Sequence, residues 1–312
     1  MFLCENGGPR AFDAVLAALT KANGLATGLA ETPPAAEQDI FQRVVSLRLT
    51  GGRMPLYVGQ ARENLGYAGG VNAWMRPLMR NPATKGFWVL NPDTFPERDA
   101  LAKLIAYAEA RRKGMVQGRV MFPGRTDINA SRGLKYRKFL ARGVGVGYGA
   151  PVSPGPNPDD VEKEMESPTG VSLYVTRACV EQIGLMDESY FLYWEDFDWG
   201  VRAAVKCGIG YAHDSVVAHV SGTTTGSAKT RARRSRISVY LQNRGKLLFV
   251  RRHHPRWFAW TVFASYVNAL EYLAAGSFAN FKAATDGLAA GLRGETGRPS
   301  FARSFAALGE DG

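Results

Sequence analysis

Two stretches of this 312-residue chain set acidic side chains where they could do chemistry. The first is Asn91-Pro92-Asp93-Thr94, which follows the apolar run Trp88-Val89-Leu90. That order puts an acid in the turn at the end of a buried strand, where open α/β sheets place ligand groups. A carboxylate there can hold Mg²⁺ or Mn²⁺ against a diphosphate. The same residues read equally well as an Asx/Pro turn with no ligand. The second stretch is Trp194-Glu195-Asp196-Phe197-Asp198-Trp199, ahead of Arg202. Acids in a first helical turn suit the helix dipole, and Asp198 with Arg202 has the i,i+4 spacing of a plain surface pair. Glu195 and Asp196 have no partner at that spacing. Either can act as a general base that takes a proton from a hydroxyl nucleophile.

Two further groups are weaker. His213 and His219 are six apart on one expected strand, so a regular strand sends both to the same face. His219 runs into the polar stretch 221–226, and a histidine at a strand end can complete a metal site, although most such histidines are structural. Residues 63–72 read Glu-Asn-Leu-Gly-Tyr-Ala-Gly-Gly-Val-Asn. Their small side chains let backbone approach a ligand at a helix N-terminus, where N–H groups favour anions. No Lys-Ser or Lys-Thr follows, so this is not a Walker loop; a tight strand-to-helix turn explains it as well.

The elements that must position these groups alternate. Strands are expected at 2–4, 44–49, 56–59, 87–90, 115–122, 170–175 and 210–219. Helices are expected at 11–22, 71–79, 99–113 and 194–206. This alternation predicts an α/β sheet with helices on both faces. Residues 142–158, rich in Gly and Pro, read as loop. After Gly226 the chain turns helix-forming, interrupted at Pro255 and Gly276. The expected domains are therefore 1–222 and a helical region, 223–312.

Composition narrows the class. Net charge is +11, from 39 basic and 28 acidic residues. Residues 229–256 hold ten Lys or Arg and no acid, which leaves 29 basic against 28 acidic elsewhere. No zinc-finger spacing or other RNA- or DNA-binding motif accompanies that charge, so nucleic acid is not the expected partner. Basic residues beside Trp257-Phe258-Ala259-Trp260 instead suggest an anionic membrane surface. Residues 257–277 contain Asn268 and Glu271 and read as a core or interfacial helix rather than a span. Three scattered cysteines form no disulfide framework. Residues 1–10 lack the basic start and apolar core of a secretory signal. The expected location is cytoplasmic, peripheral on the inner face of the cell membrane.

Taken in order, these segments resemble a family 2 inverting glycosyltransferase of the rhamnosyltransferase-like branch. The resemblance rests on ENLGYAGGVN at 63–72, LNPDT at 90–94, GLMDESYFLYWEDFDWGVRAAVKCG at 184–208, AHVSGTTTG at 218–226 and the helical segment 240–248. It implies a GT-A fold, a mixed, Rossmann-like sheet flanked by helices. It implies transfer of a sugar, rhamnose among the candidates, from a nucleotide-diphosphate donor to a hydroxyl of a glycan or lipid-linked acceptor in cell-surface polysaccharide synthesis. By position, Asp93 would bind a divalent metal (Mg²⁺ or Mn²⁺) and through it the donor diphosphate, and His219 would complete that site. Asp196 would be the catalytic base, with Glu195 the runner-up. Glu5 would contact the nucleotide base, and Asn64 and Gly69 would lie near the nucleoside.

The chain departs from the family at two points. Only one acid of the Asp-x-Asp pattern stands at 91–93, and the strand-plus-helix unit of about 30 residues that the family places before Glu5 is missing. A start assigned too late is the expected reason. The rival readings are a non-catalytic or inactive truncated nucleotide-sugar-binding paralogue and a nucleotidyltransferase, which would form rather than consume the sugar nucleotide.

Overall fold

The computed structural model describes residues 1–21, 24–32, 39–52, 54–220 and 234–299, with backbone only at 29, 31 and 32. The stretch 221–226 after His219, and Lys229, Arg231 and Arg233, lie outside the described residues. The fold is mixed α/β, with helices flanking the sheets and a C-terminal helical region. It divides into two compact units, Met1–Pro82 and Ala83–Gly312.

The first unit is a four-stranded sheet in the order β1-β4-β3-β2. Its strands are β1 (Phe2–Glu5), β2 (Ala26–Thr32), β3 (Phe41–Leu49) and β4 (Pro55–Ala61). β1 runs parallel to β4, and the other pairs are antiparallel. Alternation along β3 sends successive side chains to opposite faces. Val45 and Leu47 meet Phe12 and Leu16 of α1 (Pro9–Thr20). Phe41 and Val44 meet Ala73 and Trp74 of α2 (Gly66–Met79). Pro9 starts α1, where its missing N–H is harmless.

The second unit holds a six-stranded sheet in the order β5-β11-β7-β12-β6, with β8 paired to β7. These are β5 (Gly86–Leu90), β6 (Thr94–Pro96), β7 (Met115–Met121), β8 (Asn129–Ser131), β11 (Ser172–Thr176) and β12 (Ile209–His219). β12 is parallel to β7, and the remaining pairs are antiparallel. α3 (Ala100–Arg111) covers one face, with Leu104 and Ala108 on Val116, Tyr174 and Ala212. α4 (Pro158–Glu164), α5 (Arg177–Ile183) and α6 (Glu195–Lys206) follow the chain around this sheet.

The region expected to be loop from residue 142 begins as a strand. β10 (Arg142–Gly145) pairs antiparallel with β9 (Leu134–Arg137) across a tight turn, Lys138–Leu140. A Cβ on Gly143 would make ordinary contact with the Trp194 ring, at 3.4 Å, so a side chain could be accommodated there.

The C-terminal helices are α7 (Arg236–His253), α8 (Phe258–Ala274) and α9 (Phe278–Arg293), broken at Pro255 and Gly276 as expected. α9 presses on α7 so closely that a Cβ on Gly287 would meet the Tyr240 carbonyl oxygen at 2.3 Å. Among the described residues of the basic segment, several cations are engaged within the fold. Arg244 is buried and donates to the carbonyls of Tyr190 and Gly297. Lys246 is buried against Ser265, Arg251 covers the Phe258 ring, and Arg252 pairs with Asp187 and Asp198. Among the described residues no helix is long and apolar enough to cross a membrane. All three cysteines are free.

Candidate active site

Strand pairing assembles the first corner of the site. Residues 91–93 turn out of β5, and Thr94 Oγ1 closes the turn by donating to the Asn91 carbonyl at 2.6 Å. The chain then pairs as β6 with the end of β12, setting Thr94 opposite His219. Val220 N–H donates to the Asp93 carbonyl at 3.1 Å. That register brings His219 Nε2 to 3.1 Å from Asp93 Oδ1, both side chains being mostly buried. Nearby in sequence, the buried amide oxygen of Asn91 has no hydrogen-bond partner.

An orphaned buried acceptor is expensive unless something else satisfies it. One carboxylate and one imidazole in contact, with an unpartnered amide oxygen two residues before the carboxylate, fit a divalent cation that takes its remaining ligands from phosphate and water. Among the described residues no group of three or more His, Cys, Asp or Glu could hold a metal on its own.

Asp196 and Glu195 open α6. The approach to them is strained, since Phe191, Tyr193 and Trp194 all have positive φ, at 67°, 68° and 75°. Trp194 is pinned by its Nε1 donating to the Gln242 carbonyl of α7 at 3.0 Å. Asp196 accepts from two backbone N–H groups, Phe197 at 2.8 Å and Gly170 at 2.9 Å. Burial pushes its carboxyl above the usual range, and those N–H groups pull only partly the other way. Glu195 is buried, and its Oε2 has no hydrogen-bond partner. Burial, and then the neighbouring Asp196 charge, hold its carboxyl well above the ordinary glutamate range.

Two residues of backbone tie these groups together. Gly170 N–H meets Asp196, while the Val171 carbonyl accepts from Asn91 N–H at 3.0 Å. The turn that carries Asp93 and the carboxylate of Asp196 thus share one support. That support is itself fixed by Gln117, whose Oε1 accepts from Thr169 N–H at 2.6 Å. Gln117 and Asn91 were not singled out by the sequence reading. A polar side chain inside an apolar strand run is the signal that could have found Gln117.

The other expected site residues belong to the first unit. Glu5 ends β1 and accepts from Gly7 N–H. Asn64 Oδ1 accepts from Gly66 N–H at 3.0 Å at the start of α2, in which Gly69 is buried. Asn6, also unremarked in the sequence, joins the two segments. Its Nδ2 donates to the Gly66 carbonyl at 3.0 Å, and a Cβ on Gly70 would collide with it.

Two expectations need correction. A bulge between Ala212 and Val216 breaks the regularity of β12, and His213 is occupied elsewhere, between Tyr211 and Arg119. Burial, and then the Arg119 charge, lower its pKa. The Asp198–Arg202 pair forms, at 2.8 Å, but Asp198 is 0% exposed rather than on the surface. Asp198 also receives Arg252 at 2.9 Å and His253 at 2.7 Å, locking α6 to α7.

No family model matches the chain. Over 140 residues it is 25% identical to the low-salt glycan biosynthesis hexosyltransferase Agl10 of Haloferax volcanii, a match covering 45% of this chain and 43% of that protein. The chain thus spans less than half the length of this relative. Among solved structures, GalNAc-T7 with UDP, GalNAc and Mn²⁺ matches with a TM-score of 0.46 at 12% identity, over 69% of this chain and 39% of that one. The mannosyltransferase PcManGT of Pyrobaculum calidifontis, in complex with GDP-Man and Mn²⁺, matches with a TM-score of 0.38 at 13% identity, over 81% and 66%.

Proposed function

We propose that the protein is a glycosyltransferase that moves a hexose from a nucleotide-diphosphate sugar to an acceptor hydroxyl with inversion, built on a GT-A-type fold. The carrying observation is that Asp93 meets His219 on a turn whose Asn91 N–H donates to Val171, while the adjacent Gly170 N–H donates to Asp196. The similarity to a hexosyltransferase supports the same reading.

Asp93 and His219 would hold a divalent cation, which supplies charge neutralisation for the departing diphosphate. The protein's own chemistry lies with Asp196. Its raised pKa makes it a better base than an ordinary aspartate, and its two N–H contacts fix its orientation. It removes the proton of the acceptor hydroxyl as that oxygen bonds to the anomeric carbon. The bond from that carbon to the diphosphate oxygen breaks on the opposite face, and a single displacement inverts the centre. The neighbouring Glu195, with its carboxyl held well above the ordinary glutamate range by burial and then by the Asp196 charge, is the second candidate for the base. Glu5, Asn64 and Gly69 are assigned to the nucleoside. Rhamnose is the first donor sugar to test, and a glycan or lipid-linked acceptor is the class to offer.

One observation favours a second reading, a nucleotide-sugar binder without transfer activity. Both carboxylate oxygens of Asp196 already accept backbone N–H bonds. A panel of nucleotide-diphosphate sugars with Mn²⁺ or Mg²⁺, scored for nucleoside diphosphate release and product formation, separates the two. Transfer that loses its metal dependence and most of its rate in Asp93→Ala supports the first reading. Donor binding with no turnover on any acceptor supports the second, and pyrophosphate release in place of nucleoside diphosphate points to a nucleotidyltransferase.

A further inference from the structure

Helix α8 faces the wrong way for a helix on a soluble domain. Its inward stripe is small or polar: Thr261, Ser265 and Ala269, ending on Tyr272. Thr261 lies 3.0 Å from the Tyr136 hydroxyl, and Ser265 accepts from Lys246 Nζ at 3.0 Å. The outward stripe is Trp260, Phe263, Tyr266, Val267, Leu270 and Leu273, all exposed. Their spacing follows one helix face for almost the whole length of α8. A surface helix normally buries its large apolar stripe, and a contiguous exposed one marks an interaction surface.

A second element extends this face. The β9–β10 turn carries Phe139 at 73% and Leu140 at 59% exposure. Trp260 Nε1 donates to the Phe139 carbonyl, and Asn268 Nδ2 to that of Leu140, each at 3.0 Å. The turn is therefore fixed to α8, and an open groove of about 480 Å³ between them is lined by Phe139, Arg256, Trp257 and Trp260. Charge at the margin is net positive, although Glu164 lies 3.7 Å from both Lys135 and Arg137. Residues 133–142 contain Lys135, Arg137, Lys138 and Arg142 and no acid. The one acid in 255–275, Glu271, is paired with Arg142 at 2.6 Å.

We infer that this face docks on an anionic lipid surface, with the outer residues of α8 and the Phe139–Leu140 tip entering the headgroup region. Trp and Tyr suit that boundary because each joins an apolar ring to a polar atom. Arg and Lys at the margin meet anionic headgroups. The charge distribution selects lipid over a second copy of the chain, since a two-fold contact would set the same basic margin against itself. The contact surface is thus α8 and the hairpin tip, with Arg256 of the basic segment lining the groove between them.

The test is flotation of the full chain with vesicles of phosphatidylcholine alone or mixed with phosphatidylglycerol. Flotation needs no donor, acceptor or metal, so its outcome is independent of transfer activity. The chain floats with the mixed vesicles and far less with neutral ones. The double variant Phe263→Ser, Leu270→Ser lowers the bound fraction at least ~10-fold by removing two inserted side chains. Phe139→Ser on the other element lowers it as well, and Arg256→Glu with Lys138→Glu removes the preference for anionic vesicles. All these side chains are at least partly exposed, so thermal unfolding stays at the parent value. Absence of flotation, or flotation unchanged in both apolar variants, overturns the inference. So does a concentration-dependent dimer that the same variants dissociate without any vesicle binding, which gives the face to a second copy.

Discussion

Helix α6 carries two aspartates two residues apart, and the molecule treats them in opposite ways. Burial penalises the charge on both. Around Asp198, however, the hydrogen bond from His253, the Arg202 charge and the bond from Arg252 outweigh that penalty and bring its pKa down to about 2. Asp196 meets only backbone N–H groups, and its pKa stays raised. Depth therefore does not decide which carboxylate is available for chemistry; the side-chain partners His253, Arg202 and Arg252 do. One aspartate is committed to holding two helices together, and the other keeps its affinity for a proton.

The largest expected effect lies on the structural side of that contrast. Asp198→Ala leaves Arg202, Arg252 and His253 facing a buried void where the carboxylate was. Breaking a buried ion-pair network in this way costs about 3–5 kcal/mol, read by denaturant unfolding. The pH dependence has a definite sign. A folded-state pKa below the unfolded value contributes stability that is fully present above about pH 4 and is lost as pH falls toward 2. The loss is of order 2 kcal/mol over that window, and Asp198→Asn flattens it. An unchanged acid limb in that variant breaks the comparison.

Next in size is the catalytic side. Asp196→Asn keeps the shape, and its amide oxygen still accepts one of the two N–H bonds. Turnover falls by at least ~10²-fold, the scale of general-base catalysis, donor affinity stays near the parent value, and stability falls by about 1–3 kcal/mol because the amide NH2 faces the other N–H. Full turnover in Asp196→Asn removes Asp196 from the chemistry, and a loss of stability as large as that of Asp198→Ala makes the two aspartates equivalent.

Much of this was legible in the residues. The short apolar runs and the alternation of strand and helix were, because strands such as β5 and β11 are buried and read as such. The Asp93 turn and the Glu195-Asp196 pair were visible as unusual residue types in short spans. The meeting of Asp93 with His219 was suggested by resemblance alone, because it depends on the pairing of β6 with β12 across 126 positions. β6 is only three residues long, too short to announce itself. The role of Asp198 was misread for a related reason. The i,i+4 rule sees Arg202, but Arg252 and His253 arrive from a helix more than fifty residues on. A count of charges in the basic run also does not record that Arg244 and Lys246 are buried.

The smallest expected effect sharpens the contrast most, because it concerns the residue beside Asp196. Glu195 is buried with one oxygen unpartnered, and its pKa is held well above the usual glutamate range, so it keeps its proton where Asp198 has long lost its own. Glutamine imitates a protonated glutamate in shape and lack of charge. Glu195→Gln should therefore change stability by less than ~1 kcal/mol below the unfolded pKa of a glutamate, about 4.3, and leave turnover within a few-fold of the parent. At higher pH the sign is opposite to that of Asp198. A raised folded-state pKa contributes stability that is present in acid and is lost as pH rises through it. Removing the titration removes that loss, so Glu195→Gln becomes more stable than the parent as the solution is made alkaline. Thermal unfolding across pH reads this directly. If instead Glu195→Gln loses ~10²-fold in turnover while Asp196→Asn does not, the base is Glu195, and the carboxylate that α6 keeps for chemistry is the one with an oxygen that accepts no hydrogen bond.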